Sequence, residues 1–383
     1  LGWPALGQRE LGTLHAELTM NAAGVARAHV QQLPFKRHTT IVFDHSSQDH
    51  ISGKNASPQH ARQIIGELCG AQDRVAPDAA SHFADLVNHL RGLSATEIVS
   101  VSSPGCGAFA DALAACASQS CLAHLGNLIN AGAAPESVYS SLSLVPAPED
   151  GIVDSVASFI DRVPLHGLLP VSSMVQSYCN GHPECGRNPS VQRIIQSIVA
   201  KLPAGCRVGE RFDEIEKTVI ILKSVGNIAN EQHSLPSILA CIDNQHIPRD
   251  VKLAAINALR RKPCSQQRND KISKLYRDHK EDVEVRIESF RQLMQCPSDD
   301  IVQNIVDALR NETINQVGSY VWSFLNTKRR STNPGSYDLQ NVLKRFHIPQ
   351  RFDVDPRRFS RYYEFGYFDK ERSFFENDQL FNE

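Results

Sequence analysis

The sequence VKLAAINALRRKPC at residues 251–264 and the sequence VRIESFRQLMQCPS at residues 285–298 repeat one helical pattern. A shift of 34 positions, from 251 to 285, aligns apolar residues with apolar residues and Pro263 with Pro297. Apolar side chains recur at the spacing of one helix face, and the proline then ends each helix. The two stripes are Val251, Ala255, Ala258 and Leu259, then Val283, Ile287, Phe290 and Met294.

A unit of this size cannot bury its apolar stripe alone, so the repeat predicts stacked neighbours, as in helical-repeat solenoids. The alternative is that two ordinary amphipathic helices are alike by chance. Similar stripes run from Ser57 to about Pro349, which favours a long series of antiparallel helices over alternating strands and helices. The breakers that should separate these helices are Gly132, Pro146, Pro148, Pro164, Pro170 and Pro183.

Helix ends can be predicted at several positions. Ser57-Pro58 predicts a start, because serine caps a helix and proline suits its first turn. Gly92-Leu-Ser94 predicts a stop followed by a new cap. Helices are expected near residues 109–117, 122–129, 136–144 and 152–160, and the last helix near 339–346. The turn-like sequence CNGHPEC at 179–185 is expected to interrupt the helices.

Both ends of the chain read as β-structure. Alternating or β-branched segments at residues 14–19, 26–31 and 38–43 predict strands. Residues 357–368 are aromatic and extended, and Tyr363, Phe365 and Tyr367 are predicted to share one face. Arginine and tyrosine together are also typical of nucleic-acid stacking, but neighbouring acidic residues neutralise the basic ones. We therefore prefer a sheet at this end.

Composition excludes some classes of protein. The 383 residues are 41% hydrophobic and 21% charged, as in soluble globular proteins of about two to three domains. Forty basic and 42 acidic residues leave almost no net charge, which argues against a phosphate-neutralising nucleic-acid binder. No apolar run approaches the ~20 residues that span a bilayer. Without an initial Met or a signal-peptide pattern, the chain is expected to be a piece of a longer protein.

The ten cysteines favour a secreted, disulfide-bonded protein, because their number is even and some lie close together. Short loops could join Cys116 to Cys121 and Cys179 to Cys185. The alternative is buried free thiols, which behave as small hydrophobic groups. His182, inside the second loop, raises a metal site as another alternative, but no second ligand pair of suitable spacing follows. The remaining cysteines are Cys69, Cys106, Cys206, Cys241, Cys264 and Cys296.

Other site motifs are few. The sequons at Asn55 and Asn311 predict glycosylation sites, with Asn55 weakened by the proline that follows its sequon. The sequence SSPGC at 102–106 fits a turn between helices better than a nucleophile site. The chain has no glycine-rich phosphate loop, no Gly-x-Ser-x-Gly and no His-Glu-x-x-His. We therefore predict no enzyme activity, no catalytic or metal-binding residue and no cofactor.

The order of these parts resembles the large lipid transfer protein family, which includes the vitellogenins, apolipoprotein B, the apolipophorins and the microsomal triglyceride transfer protein. The arthropod apolipophorins look most similar. The residues that carry the resemblance are LRGLS at 90–94, CASQSC at 116–121, Cys206 and Cys241 around ILKSVGNIA at 221–229, LAAINALR at 253–260, and RRFSR at 357–361.

This resemblance implies a mainly α fold in three parts. Residues 1–50 would be the last strands of an N-terminal β-barrel, and residues 51–350 a right-handed, two-layer α-helical superhelix. Residues 351–383 would begin a lipid-cavity sheet. It also implies disulfides between Cys206 and Cys241 and between Cys116 and Cys121. The lipid-contacting residues are not assigned.

The same resemblance implies a secreted lipoprotein of plasma or haemolymph that transports phospholipid and diacylglycerol or triacylglycerol. Its partners would be lipids and a lipoprotein receptor or another chain of the parent lipoprotein, with no nucleic acid and no transmembrane segment. The alternative is an intracellular helical-repeat scaffold that binds proteins. The state of the cysteines separates the two, since the carrier predicts disulfides and the scaffold predicts thiols.

Overall fold

The computed structural model is mainly α-helical. It describes residues 16–20, 26–30, 56–70, 78–145, 148–229, 231, 233–331, 336–352, 360–369 and 373–381. By its internal contacts the chain divides into two compact units. One comprises His45–Pro263, and the other comprises Leu1–Asp44 together with Cys264–Glu383.

Among its described residues the first unit contains helices and connecting turns but no strand. Its helices are α1 Pro58–Gly70, α2 Ala79–Gly92, α3 Ala95–Ser100, α4 Gly107–Cys116, α5 Gln119–Asn130, α6 Val138–Ser141, α7 Asp150–Phe159, α8 Leu168–Gly181, α9 Pro189–Val199, α10 Phe212–Asn227, α11 Leu235–Asp243 and α12 Arg249–Asn257. Many of them pack on the next-but-one helix along the chain, as α8 does on α10 and α10 on α12. This pattern is typical of stacked helical repeats.

The second unit combines helices with two short sheets. Its elements are β1 Ala16–Met20, β2 Ala26–Val30, α13 Gln266–Arg277, α14 Val283–Leu293, α15 Asp299–Arg310, α16 Asn315–Arg330, α17 Tyr337–Leu343, β3 Arg361–Asp369 and β4 Ser373–Phe381. The strands pair antiparallel as β1 with β2 and β3 with β4, and Leu18 lies opposite Ala28. The strand predicted at residues 38–43 and the sequon at Asn55 lie outside the described residues.

Local capping explains several helix boundaries. Helix α1 begins at Pro58, and the His60 amide donates a hydrogen bond to Ser57 Oγ (3.4 Å), which confirms the predicted start. Helix α2 ends at Gly92, and Ser94 caps α3 in a reciprocal capping box with Glu97. This confirms the predicted stop and new cap.

The helical stripes of the repeat are buried as expected. Val251, Ala255, Ala258 and Leu259 have no exposed surface, and Ile256 and Phe290 are equally buried. Val283 is only partly buried, and Val285 lies in the core instead. Helix α14 is buried on several sides, because Arg286, Ser289 and Gln292 are covered as well.

Two predicted boundaries were wrong. Pro170 does not break a helix but lies in the first turn of α8, where no intrahelical hydrogen bond needs its missing N–H. The 179–185 segment does interrupt the helices as predicted, because α8 ends at Gly181 and α9 begins at Pro189. The last helix spans Tyr337–Leu343 and begins and ends before the predicted 339–346.

Candidate functional site

The ten cysteines lie in five pairs whose Cα–Cα distances, 5.0–6.3 Å, suit disulfide bonds. They include the three predicted pairs, at 6.3 Å for Cys116–Cys121, 5.2 Å for Cys179–Cys185 and 5.0 Å for Cys206–Cys241. The sequence did not assign the other two, which are Cys69–Cys106 at 5.7 Å and Cys264–Cys296 at 5.8 Å. Both members of each pair lie in the same unit.

The Cys206–Cys241 pair encloses helix α10. Cys206 follows Gly205 in a turn where both residues have positive φ, and Cys241 lies in α11. The Asn244 side chain donates a hydrogen bond to the Gly205 carbonyl (2.8 Å) and holds this turn against the end of α11. Both sulfur-bearing residues are buried.

A buried lysine closes the C-terminal end of α10. Lys262 Nζ donates hydrogen bonds to the carbonyl oxygens of Val225 and Ile228 (2.9 Å each) and pairs with the Glu231 carboxylate. A cation suits this position because the last carbonyls of a helix carry partial negative charge. Burial lowers the pKa of Lys262, and the nearby Glu231 carboxylate opposes this shift by favouring the charged form. Glu231 also accepts hydrogen bonds from the backbone and hydroxyl of Ser234.

A second buried ion pair joins α14 to the start of α16. The Arg286 guanidinium binds both carboxylate oxygens of Glu312 (3.3 and 2.5 Å) and donates to the Tyr276 carbonyl (3.0 Å). Glu312 also accepts hydrogen bonds from the Thr313 and Ile314 amides (2.9 Å each). Burial by itself raises the pKa of Glu312, but the hydrogen bonds from Arg286 and these amides outweigh it and hold the pKa below its usual value.

Strand β3 begins on the side of α16. The Tyr362 amide donates a hydrogen bond to Ser323 Oγ (2.9 Å), and the Tyr362 ring lies 4.6 Å from the Phe324 ring, centroid to centroid. Lys328 Nζ lies 5.3 Å from the centre of the Tyr362 ring, within the range of cation–π attraction. We call these contacts of Tyr362 the strand anchor. They fix where the C-terminal β-hairpin leaves the helices.

Two motifs considered for chemistry have structural partners instead. The His182 ring stacks on Tyr178 at 4.1 Å, and Nδ1 lies 2.9 Å from the Tyr178 carbonyl oxygen. Ser102 Oγ lies 2.9 Å from His124 Nε2, while His124 Nδ1 is buried without a hydrogen-bond partner. Burial lowers the pKa of His124. No third group orients this histidine among the described residues, so the pair lacks the arrangement of a catalytic triad.

Where the structure describes the chain, no cluster of three or more His, Cys, Asp or Glu side chains is placed to hold a metal ion. None of the described helices is both long and apolar enough to cross a bilayer. Asn311, the predicted glycosylation site, is exposed just after α15.

Comparison with known proteins places these features in a family. A family model described as the vitellogenin TPR domain matches residues 55–326. Apolipophorins of Locusta migratoria are 26% identical over 314 residues, which cover 77% of this chain and 9% of that protein. Vitellogenin of Penaeus merguiensis is 25% identical over 231 residues, covering 60% of this chain and 9% of that protein. The chain therefore spans a small part of the relatives that it matches.

A solved structure, described by its title as lipid–protein interactions in lipovitellin, has a similar fold. Its TM-score is 0.63 at 18% sequence identity, and the match covers 94% of this chain and 44% of that one. The likeness confirms the mainly helical fold expected from the sequence. Because the family model covers more than half of the residues, the chain belongs to the large lipid transfer protein family through its vitellogenin TPR domain.

Proposed function

We propose that this chain is the helical frame of a secreted lipid-transport protein. In this proposal residues 51–350 form a right-handed, two-layer superhelix, residues 1–50 complete a barrel, and residues 351–383 begin the sheet of a lipid cavity. The cargo of the parent protein is phospholipid together with diacylglycerol or triacylglycerol. Its further partners are a lipoprotein receptor or another chain of the parent.

The family membership carries this proposal. The vitellogenin TPR domain model covers residues 55–326, and the similar solved structure concerns lipid–protein interactions in lipovitellin. A lipid cavity exposes apolar sheet faces that would collapse in water without support. Stacked helices supply a large support from local contacts. The chain has parts that suit such a support, namely stacked helices, cysteine pairs at disulfide distance and a strand that starts on a helix.

The strand anchor gives the frame its link to the cavity. Tyr362 is buried, and its amide and ring both contact α16, so the first residues of β3 are held in one position. Arg361 adds a second contact, since its guanidinium carbon lies 5.6 Å from the centre of the Trp322 ring. We infer that this anchor sets the edge of the cavity sheet against the helices.

Cysteine geometry supports the secreted location over the intracellular scaffold. Five pairs at disulfide distance suit an oxidising compartment, whereas a cytosolic scaffold would keep its thiols reduced. The exposed Asn311 is proposed to carry a glycan, because its sequon lies on the surface after α15. No observation favours the scaffold, and we do not propose an enzymatic role.

The strand anchor allows a direct test in the full-length parent. Tyr362→Ala removes the ring that packs on Phe324 and lies under Lys328, so the secreted protein should carry at least about twofold less lipid per mole. Tyr337→Ala is the matched control, because Tyr337 is 62% exposed and its loss should change nothing. Extracted phospholipid and neutral lipid are quantified for each variant. A Tyr362→Ala protein with an unchanged lipid load would contradict the proposed link.

A further inference from the structure

The guanidinium of Arg268 is buried beside a disulfide and has no carboxylate partner. Arg268 lies in the first turn of α13 and has no exposed surface. Its Nη1 contacts Cys296 Sγ and donates to the Asn269 side-chain oxygen (3.1 Å), and Nη2 donates to the Gln292 carbonyl (3.0 Å). Nε has no hydrogen-bond partner among the described residues.

These surroundings are unfavourable for a cation. They also differ from the surroundings of the two other buried cations described above. Lys262 is paired with Glu231, and Arg286 is paired with Glu312. Arg268 has only neutral partners, and no ion pair to it exists in the part of the chain that the structure describes. Burial lowers the pKa of Arg268 to about 10, so the guanidinium stays charged at neutral pH. A buried charge without an opposite charge is costly.

A thiolate on Cys296 would supply the missing negative charge. The sulfur of an intact disulfide is neutral and a weak acceptor, whereas a thiolate beside an arginine is strongly stabilised. The two cysteines of the pair also differ in solvent exposure, since Cys264 is exposed and Cys296 is only 8% exposed. An external thiol can therefore reach one sulfur while the other faces Arg268.

We propose that the Cys264–Cys296 disulfide is a thiol-exchange site, at which a small external thiol forms a mixed disulfide with Cys264. The thiolate of the external thiol attacks Cys264 Sγ and forms a new S–S bond. The Cys264–Cys296 bond breaks, and its electron pair leaves on Cys296 Sγ as a thiolate that pairs with Arg268. Glutathione represents this class of thiol. The reverse reaction releases the thiol and restores the disulfide.

The other four cysteine pairs provide internal references. Both members are buried in Cys116–Cys121, Cys179–Cys185 and Cys206–Cys241. The Cys69–Cys106 pair is a closer reference, because Cys69 is exposed and Cys106 is nearly buried. Cys106 Sγ accepts only a neutral backbone hydrogen bond from Phe109 (3.3 Å), and no guanidinium contact to it is described. Its exchange should therefore be slower than that of Cys264–Cys296.

The test uses the intact native protein in reduced glutathione at neutral pH. Samples are quenched with iodoacetamide over time and mapped by mass spectrometry. The proposal predicts that Cys264–Cys296 opens before the other four pairs, and that glutathione is found on Cys264 while Cys296 is alkylated after unfolding. Glutathione on Cys296, or earlier opening of any other pair, would overturn the proposal.

Two substitutions separate the charge of Arg268 from its packing. Arg268→Met removes the cation and should reduce the equilibrium fraction of open Cys264–Cys296 roughly fivefold or more, as expected when a thiol loses a neighbouring cation. Arg268→Lys retains a charge and should preserve most of the exchange. Equal exchange in both variants would overturn the role of the cation. If Arg268→Met does not fold, the site of glutathione attachment in the unaltered protein decides the proposal.

Discussion

Gly226 allows α10 and the segment after α12 to approach closely. A Cβ at this position would lie 2.7 Å from Ala258 Cα, which is backbone that cannot easily move. The sequence ILKSVGNIA contains this glycine, and that stretch is one of those that carry the resemblance to the family. The contact gives a physical reason for glycine there.

Gly226→Ala should therefore destabilise the protein by about 1–3 kcal/mol, as overpacked cores do. Chemical denaturation followed by circular dichroism measures the change. Gly66→Ala is the control, because nothing lies within 4 Å of a Cβ at Gly66 and alanine favours the helix. Equal stability of the two variants would contradict the close approach at Gly226.

Glu312→Gln should destabilise the protein by about 3 kcal/mol, because it leaves the Arg286 guanidinium buried without its counter-charge. Glutamine keeps an oxygen for the Thr313 and Ile314 amides, so the loss reports mainly the ion pair. The double variant Arg286→Met/Glu312→Gln should lose less than the two single variants together. Additive losses in this cycle would contradict a direct interaction.

The pH dependence of the same pair has a definite sign. The folded protein holds the pKa of Glu312 below its usual value, so the carboxylate stabilises the fold fully above the unfolded pKa. This stabilisation is lost as the pH falls through the lower folded-state pKa. The Glu312→Gln variant should thus show a flatter decline of unfolding free energy below about pH 4.3 than the unaltered protein. Parallel declines would refute this contribution.

At the scale of elements, the repeated helices carry the core. Ile256→Asp or Phe290→Asp places a charge at a position with no exposed surface, and either change should abolish or severely lower the cooperative melting transition. Val99→Asp in α3 is the control, because Val99 is 58% exposed. Melting temperatures of the three variants give the answer. An unchanged melting temperature of the Ile256→Asp variant would contradict the placement of α12 in the core.

The sequence predicted these elements well where apolar residues recur at the spacing of an α-helix. The stripes of α12 and α14 and the caps at Ser57 and Ser94 follow local rules, so their helices were foreseen. Pro170 was misjudged because the tolerance of proline depends on its position from the helix start. The polar segment at 179–185 was foreseen as an interruption, but its first residues, 179–181, still belong to α8.

The buried ion pairs could not be foreseen from the pattern. Lys252 and Arg286 are aligned in the repeat, and both are buried although neither belongs to the apolar stripes. Glu231 and Glu312 lie in connecting segments without periodicity, and only the fold brings them to their cations. The partners of Cys69, Cys106, Cys264 and Cys296 were open for the same reason, since each bond spans more than 30 residues.

At the scale of the whole molecule, the bonding state of the cysteines tests whether the protein is secreted. In the native protein Cys206 should be bonded to Cys241, because their Cα atoms lie 5.0 Å apart and both side chains are buried. A non-reducing peptide map should contain the two peptides as one species, and a glycan should be found on Asn311. Free thiols at both positions would contradict a secreted, disulfide-bonded frame. An unmodified Asn311 would contradict the glycan alone.

The central claim concerns the full-length parent protein. This chain covers only a small part of the relatives that it matches. The most direct test is flotation of the native full-length protein in a density gradient, with lipid extraction of the protein fraction. The account predicts that the protein floats with phospholipid and neutral lipid. A dense protein without extractable lipid would contradict a lipid-transport frame.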